Sequence, residues 1–457
     1  MTEHTFDVVI LGGGSGGYAA ALRAAELGRS VAIVERDRLG GTCLHRGCVP
    51  TKALLHAAEV ADTVRSASAN GIHATLDAVD PVAMLTHRRG IVEKKAKGLE
   101  GLVAARGITV VHGTGRLTAE RTVAVGDDLY RGRDVVLATG ARSRTLPGVE
   151  FGERIVDSEA ALALDRVPER VLVLGGGVIG VEFASAWRSL GAEVTVLEGL
   201  DRLLPTEDAA LSKALERGFR RRGIQARVGA RVAAASEAAD AVTLTLDDGT
   251  TLDGDLLLVA VGRAPVTEGI GLEEAGVELD RGFVAVDEHL RTSAPGVWAV
   301  GDIVPGLQLA HRGFQQGIAV AERIAGQDPA PIDERHIPRV TYSSPEVASV
   351  GLSEDDARAR HGDEAIAVTE YNLAGNARSE ILGTSGLVKV VRIVDGPVVG
   401  VHLVGDRVGE LITEGQLAVA WDAHPEDLAP LIHAHPTQSE ALGEAFLALA
   451  GKPLHSL

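Results

Sequence analysis

The chain has 457 residues, 45 % hydrophobic and 24 % charged, which suits two to four globular domains and excludes disordered or collagen-like chains. Its formal net charge of −18, from 45 basic and 63 acidic residues, argues against a nucleic-acid binder. No apolar run of about 18 residues is available to span a membrane. The start, Met1-Thr-Glu-His-Thr-Phe-Asp7, lacks the basic and apolar regions of a secretory signal, so a cytoplasmic protein is expected.

Residues 6–11 are a short apolar run and predict a strand. The turn Gly12-Gly-Gly14-Ser-Gly-Gly17 follows, then a helix over 18–27 that stops at Gly28. A second strand over 30–35 ends on Glu35. Next comes Gly40-Gly-Thr-Cys43-Leu-His-Arg-Gly-Cys48-Val-Pro-Thr-Lys52, which holds the only two cysteines. Two cysteines are too few for a structural zinc site or a disulfide scaffold. A close pair in a chain without a secretory start points to catalysis or redox chemistry. The spacing is near one helical turn, although Gly47 and Pro50 distort the helix. It permits either a strained, readily reduced disulfide or two buried inert thiols. His45 and Arg46 are candidate cations for lowering a thiolate pKa.

The Ala138-Thr-Gly140 turn and Pro147-Gly148 close this first unit. Its pattern then returns: a strand over 170–174, the turn Gly175-Gly-Gly177-Val-Ile-Gly180, a helix over 181–190 and a strand over 193–198 ending on Glu198. Gly175 follows Gly12 by 163 residues, and Glu198 follows Glu35 by the same interval. One glycine turn is weak evidence. Two in register, each between strands with an acid 23 residues on, form the signature of dinucleotide binding. The first glycine makes the turn, the second admits a pyrophosphate and the third lets helix pack on strand. The helix N-terminus faces the negative charge. The acid accepts from ribose hydroxyls, and at Glu198 it would repel a 2′-phosphate, which favours NAD over NADP. FAD with a nicotinamide is one natural pair for two such sites. Residues 292–302 are a further strand ending in Gly301-Asp302. The remainder, from about 332, mixes strands over 387–393 and 398–404 with helices over 409–422 and 440–449.

Together these residues resemble the pyridine nucleotide–disulfide oxidoreductases, and the resemblance covers essentially the whole chain. It implies an α/β fold of two Rossmann-like dinucleotide-binding domains plus a C-terminal α+β dimerisation domain. The implied divisions are FAD binding over 1–147 and 263–331, NAD binding over 148–262, and an interface domain over 332–457. FAD would meet Gly12, Gly14, Gly17, Glu35, Gly41, Thr42, Lys52, Gly115, Thr139, Gly140, Asp302 and Ala310. NAD would meet Gly175, Gly177, Gly180, Glu198, Val232 and Gly262. Cys43 and Cys48 would form the redox disulfide, with Cys48 next to the flavin and Cys43 meeting substrate. Lys52 resembles the lysine near flavin N5, Glu182 its ion-pair partner, and Asp302 the ligand of the ribityl chain.

The segment Ile432-His433-Ala-His435-Pro-Thr-Gln-Ser-Glu440 matches the family's C-terminal one. His435 would be the acid–base group and Glu440 the carboxylate that orients it. A dithiol must lose a proton before it attacks a disulfide, and neutral imidazole is the best base near pH 7. Thr437-Gln-Ser-Glu440 also fits a helix capping box. His433 reads as structural. The resemblance implies a homodimer in which the histidine comes from the partner subunit, and no metal. Within the family, Glu198, a region after it with only Arg202, and the lack of a third cysteine fit NAD-linked oxidation of dihydrolipoyl groups. The partner would be the lipoyl-bearing acyltransferase of 2-oxo acid dehydrogenase complexes. The alternative is an NAD(P)H-dependent reductase of another low-molecular-weight disulfide or of quinones. The chain departs from the family's common residues at His45-Arg46, often Asn-Val, and at Arg312-Gly-Phe-Gln-Gln316, often Lys-Ala-Ser-Glu-Glu.

Overall fold

The computed structural model describes residues 2–455. The chain divides into two compact units, each built from three segments. The first comprises Met1–Ala53, Val82–Arg144 and Gly262–Glu334. Its strands Glu3–Leu11, Val31–Glu35 and Asp128–Leu137 carry Val, Ile and Leu where the sheet is covered on both faces. Such continuous apolar runs suit a parallel sheet. The sheet has seven strands in the order Thr109–His112, Val31–Glu35, Glu3–Leu11, Asp128–Leu137, Thr122–Val125, Arg116–Thr118, with Val297–Ala299 also paired to Asp128–Leu137. The ladders are parallel except at Thr122–Val125 and Arg116–Thr118. The helices Ser15–Glu26 and Ala310–Ile324 pack through glycine. A Cβ on Gly317 would stand 2.3 Å from the Gly16 carbonyl oxygen, so no other residue allows that approach.

The second unit comprises Leu54–Pro81, Thr145–Val261 and Arg335–Leu457. Its parallel sheet runs Gln225–Arg227, Glu193–Leu197, Arg170–Leu174, Leu256–Val259, Ile155–Val156. A three-stranded antiparallel sheet holds Val232–Glu237, Val242–Leu246 and Thr251–Gly254. A five-stranded antiparallel sheet holds Arg339–Thr341, Glu346–Gly351, Val398–Gly405, Leu387–Ile393 and Ile366–Asn372. The helices Ile412–Ala420 and Glu440–Leu449 cover it through a core that includes Val401, Leu403, Ile412 and Phe446. Buried ion pairs Glu207–Arg339 and Asp208–Lys389 tie the Glu207–Asp208 turn to this sheet.

The glycine-turn helices begin earlier than the apolar periodicity predicts, at Ser15 and at Val178. Gly14 and Gly177 are themselves the N-caps, so the turn runs directly into the first helical N–H groups. The helix expected over 409–422 is a 3₁₀ turn, Val408–Glu410, followed by Ile412–Ala420. No helix among the described residues is long and apolar enough to cross a membrane.

Glu346 opens its strand half-buried and accepts from the Gly409 N–H at 3.1 Å. Burial first, then the charges of Asp406, Glu410 and Glu59, push its carboxyl up to about 7 against the pull of that N–H. The folded state therefore keeps a proton that the unfolded chain loses near 4.5, and stability falls as pH rises between the two values. Glu346→Gln is expected to remove that fall. In urea titrations the variant should gain about 2 kcal/mol at pH 8 and nothing at pH 4.

Candidate active site

The two glycine turns have one geometry. Gly12 lies at φ +107°, and a Cβ on it would stand 2.3 Å from the Ala138 carbonyl oxygen. Gly175 lies at φ +110° with the matching contact to Ala260 at 2.4 Å. A Cβ on Gly17 would stand 1.9 Å from Gly12 O, and one on Gly180 would stand 1.9 Å from Gly175 O. In contrast, Gly177 faces open space, and the nearest atom to a Cβ on Gly14 is the Cα of Gly41 at 4.0 Å. The first and third glycines are thus fixed by the chain's own packing, while the second fronts a concavity bordered by helix N–H groups. That cradle fits a pyrophosphate.

Each acid braces its own turn. Glu35 accepts from Gly13 N–H at 2.6 Å and Asp37 N–H at 2.8 Å. Glu198 accepts from Gly176 N–H at 2.7 Å and Leu200 N–H at 2.8 Å. A carboxylate has about four lone-pair sites, so both retain capacity for ribose hydroxyls.

The segment with the cysteines folds as two helices, Gly41–Arg46 and Cys48–Ser66, broken at Gly47. In the structure Cys43 and Cys48 are two thiols, the reduced form of a redox pair. The hydrogen bond to Cys48 and burial push the Cys43 thiol up, while Lys52 draws it down. Cys43 thus keeps its proton beside Cys48. His45 and Arg46, expected as cations beside the sulfur, are tied to the preceding loop. His45 Nε2 donates to the Leu39 carbonyl at 2.7 Å, and Arg46 pairs with Asp37. Lys52 is a cation that acts on the Cys43 sulfur.

Other expected FAD-side residues also lie in the first unit. Gly41, at φ +59°, backs onto Gly14, and Thr42 follows it in the short helix. Gly115 is wedged among Leu11, Val34 and Val123, so packing alone demands a glycine there. Thr139 donates to Val266 O at 2.6 Å, and Gly140 at φ +72° borders open space. Asp302 sits in the turn Gly301–Ile303. Burial raises its carboxyl pKa, and Arg263 and Arg312 oppose that. Ala310 is the first residue of the helix Ala310–Ile324.

That helix explains the departure at 312–316. Gln316, 2 % exposed, accepts from the Gly301 N–H at 2.7 Å. Arg312 binds Pro305 O and Glu334. Both residues hold the turn that carries Asp302. Sequence reasoning marked the departure from the family's residues and missed this role, because a buried glutamine in a helix reads like any surface polar residue.

Gly175, Gly177, Gly180, Glu198 and Val232 lie together in the second unit, with Val232 opening an antiparallel strand. Gly262, expected with them, belongs to the first unit, at φ +105° with its carbonyl accepting from Arg144 N–H. Lys52 and Glu182 likewise fall in different units. Glu182 is 3 % exposed and accepts from the Tyr342 N–H at 2.9 Å.

His435 and Glu440 meet directly. Nδ1 stands 2.8 Å from Glu440 Oε1, and the other oxygen accepts from Thr437 N–H at 2.7 Å. The two readings of Glu440 are therefore compatible, with one oxygen for each. The reciprocal half of a capping box is missing, because Ser439 is the N-cap and Thr437 Oγ1 donates to Ala434 O. Burial raises the Glu440 pKa, but Thr437 N–H and His435 outweigh it and hold the carboxyl below its ordinary range. The His435 side chain is 73 % exposed, so its Nε2 edge can be reached from solvent. His433 is held by Glu414 at 2.8 Å. A further residue went unread in the sequence. Asn376, 4 % exposed, donates to Thr437 O at 2.9 Å and accepts from Ser379 N–H. It steadies the loop between His435 and Glu440 from the opposite side.

A fold with two dinucleotide cradles, a paired dithiol and a histidine–carboxylate dyad defines a class of flavin-linked disulfide oxidoreductases. The chain belongs to the pyridine nucleotide-disulphide oxidoreductase family, which it matches over residues 6–317, with the family's dimerisation domain over 337–446. It is 40 % identical to the dihydrolipoyl dehydrogenase of Bacillus subtilis, over 98 % of this chain and 99 % of that one. It is also 40 % identical to dihydrolipoyl dehydrogenase 3 of Pseudomonas aeruginosa, over 99 % of each. The crystal structure of LpdA from Mycobacterium tuberculosis superposes with a TM-score of 0.90 at 30 % identity, covering 98 % of this chain and 100 % of that one. Family members carry FAD and use NAD(H), and the dimerisation domain supports a homodimer.

Proposed function

We infer that the protein oxidises dihydrolipoyl groups with NAD, the dihydrolipoyl dehydrogenase reaction. The observation that carries this reading is the His435–Glu440 dyad in a chain that keeps both cysteines. Glu198 at the end of the second acid-bearing strand favours NAD. The divisions proposed are FAD binding over 1–147 and 263–331, NAD binding over 148–262 and the interface domain over 332–457. The residues proposed to hold each dinucleotide are those of the two cradles, with Asp302 and the N-terminus at Ala310 on the FAD side.

In the proposed homodimer, Nε2 of the partner subunit's His435 takes the proton from one thiol of the substrate, and the carboxylate that orients it stabilises the imidazolium. The substrate thiolate attacks Cys43 Sγ and breaks the Cys43–Cys48 bond. The second substrate thiol then displaces Cys43, which closes the lipoyl ring. Two electrons and two protons have passed, and the pair is left as the dithiol. Bound FAD and NAD supply the onward two-electron transfer that restores the disulfide. Cys43, with its thiol pushed up beside Cys48, keeps its proton. Cys48 is the sulfur proposed to lie next to the flavin. The substrate would arrive on the lipoyl arm of an acyltransferase of a 2-oxo acid dehydrogenase complex, in the cytoplasm.

Anaerobic assay of the yellow holoenzyme with dihydrolipoamide and NAD tests this. NADH should form, and Cys48→Ser should lower the rate by about 10³-fold or more with FAD retained. FAD without turnover in the parent would discard the lipoyl assignment. Asn376→Leu should lower kcat about tenfold with KM little changed, because the loop that presents His435 loses a buried hydrogen bond. A change in KM alone would assign Asn376 to binding instead.

A further inference from the structure

The helix that carries Cys43 is joined to the preceding loop by two side chains. Gly41–Arg46 has six residues, none of them fully buried, and no side-chain cap at Gly40. A helix this short does not hold itself together in water. Among the described residues, two of its side chains are tied to the preceding loop. His45 Nε2 donates to Leu39 O at 2.7 Å, and Arg46 pairs with Asp37. The loop they grip is itself fixed: Asp37 N–H donates to Glu35, and Gly40 N–H donates to Gly13 O at 2.8 Å. A run of hydrogen bonds therefore connects the first glycine turn, through Glu35 and Asp37, to the helix that holds the sulfur. His45 Nδ1 is buried and makes no hydrogen bond among the described residues, which leaves the Leu39 contact as the ring's one polar anchor.

We propose that His45 and Arg46 form a clasp that positions Cys43 and thereby sets the dithiol–disulfide equilibrium of the Cys43–Cys48 pair. A disulfide ties the two residues covalently across the break at Gly47. The dithiol lacks that tie and relies on the clasp. Removing the clasp penalises the dithiol more than the disulfide. The pair then becomes harder to reduce. His45 and Arg46 are proposed as positioning residues, acting through their contacts with the preceding loop. The proposal rests on the reading of Cys43 and Cys48 as a redox pair.

Equilibration of the holoenzyme in glutathione buffers tests it. Two glutathione thiols become one glutathione disulfide as the Cys43–Cys48 bond is reduced, with two electrons and two protons transferred. Acid quenching, alkylation and mass spectrometry give the dithiol fraction. The double variant H45A/R46A should shift the equilibrium about tenfold toward the disulfide, equivalent to about 30 mV for this two-electron couple. The double variant H45Q/R46K keeps both donors and should return to within about twofold of the parent. Should H45A/R46A fail to fold or to keep FAD, the single variants H45A and R46A carry the test, each with about a threefold shift. Unchanged midpoints in folded, FAD-loaded alanine variants would overturn the clasp. So would an equal shift in H45Q/R46K. A parent protein whose cysteines never form the disulfide in oxidised glutathione would overturn the redox-pair reading itself, a failure distinct from an unchanged midpoint.

Discussion

His435→Gln is expected to lower dihydrolipoamide oxidation by about 10²- to 10⁴-fold, the usual contribution of a positioned acid–base group. The same variant should pass electrons from NADH to ferricyanide within about twofold of the parent rate, because that route needs no dithiol deprotonation. The split between the two assays is the diagnostic. Glutamine keeps the size and polarity of the ring but cannot take a proton. The geometry supports the expectation, with Nδ1 anchored on Glu440 at 2.8 Å and the opposite edge exposed. Equal loss in both assays would mean that the variant damages the subunit, and the assignment of His435 as base would lose its support.

The second large effect separates the two cradles. Gly17→Ala and Gly180→Ala each place a methyl group 1.9 Å from a backbone oxygen, closer than any real contact. Helix and strand must then move apart, at a cost of several kcal/mol. Gly17→Ala is expected to yield protein without bound flavin. Gly180→Ala should stay yellow, with its affinity for NAD weakened by about 100-fold or more. Absorbance at the flavin band and NADH titration read the two outcomes. The opposite result, a colourless Gly180→Ala and a yellow Gly17→Ala, would reverse the assignment of the cradles.

Much of this site was legible in the sequence because its demands are local. Glycine at Gly12, Gly17, Gly175 and Gly180 answers to contacts within the same strand–turn–helix, so spacing alone reveals it. The strand Leu387–Ile393 and the helix Glu440–Leu449 coincide with their apolar patterns for the same reason. What escaped depends on partners far along the chain. Gln316 binds Gly301, Asn376 binds Thr437, and Arg339 binds Glu207 across 132 positions. No spacing rule announces those pairs. His45 and Arg46 were read as cations near sulfur because they neighbour Cys43 in sequence. Their acceptors, Leu39 and Asp37, lie on the preceding loop, contacts that adjacency to Cys43 does not reveal.

The bracing of each glycine turn by its own acid has a consequence for cofactor loading. Glu35 and Glu198 each tie two backbone N–H groups of their own unit, so the turns owe their shape to the chain. A preorganised cradle loses little conformational entropy when a dinucleotide docks. Deflavinated subunits should therefore take up FAD as folded bodies, at a rate set by encounter and with first-order dependence on FAD concentration. Loading would be a reversible exchange on a finished scaffold, and not an event confined to synthesis.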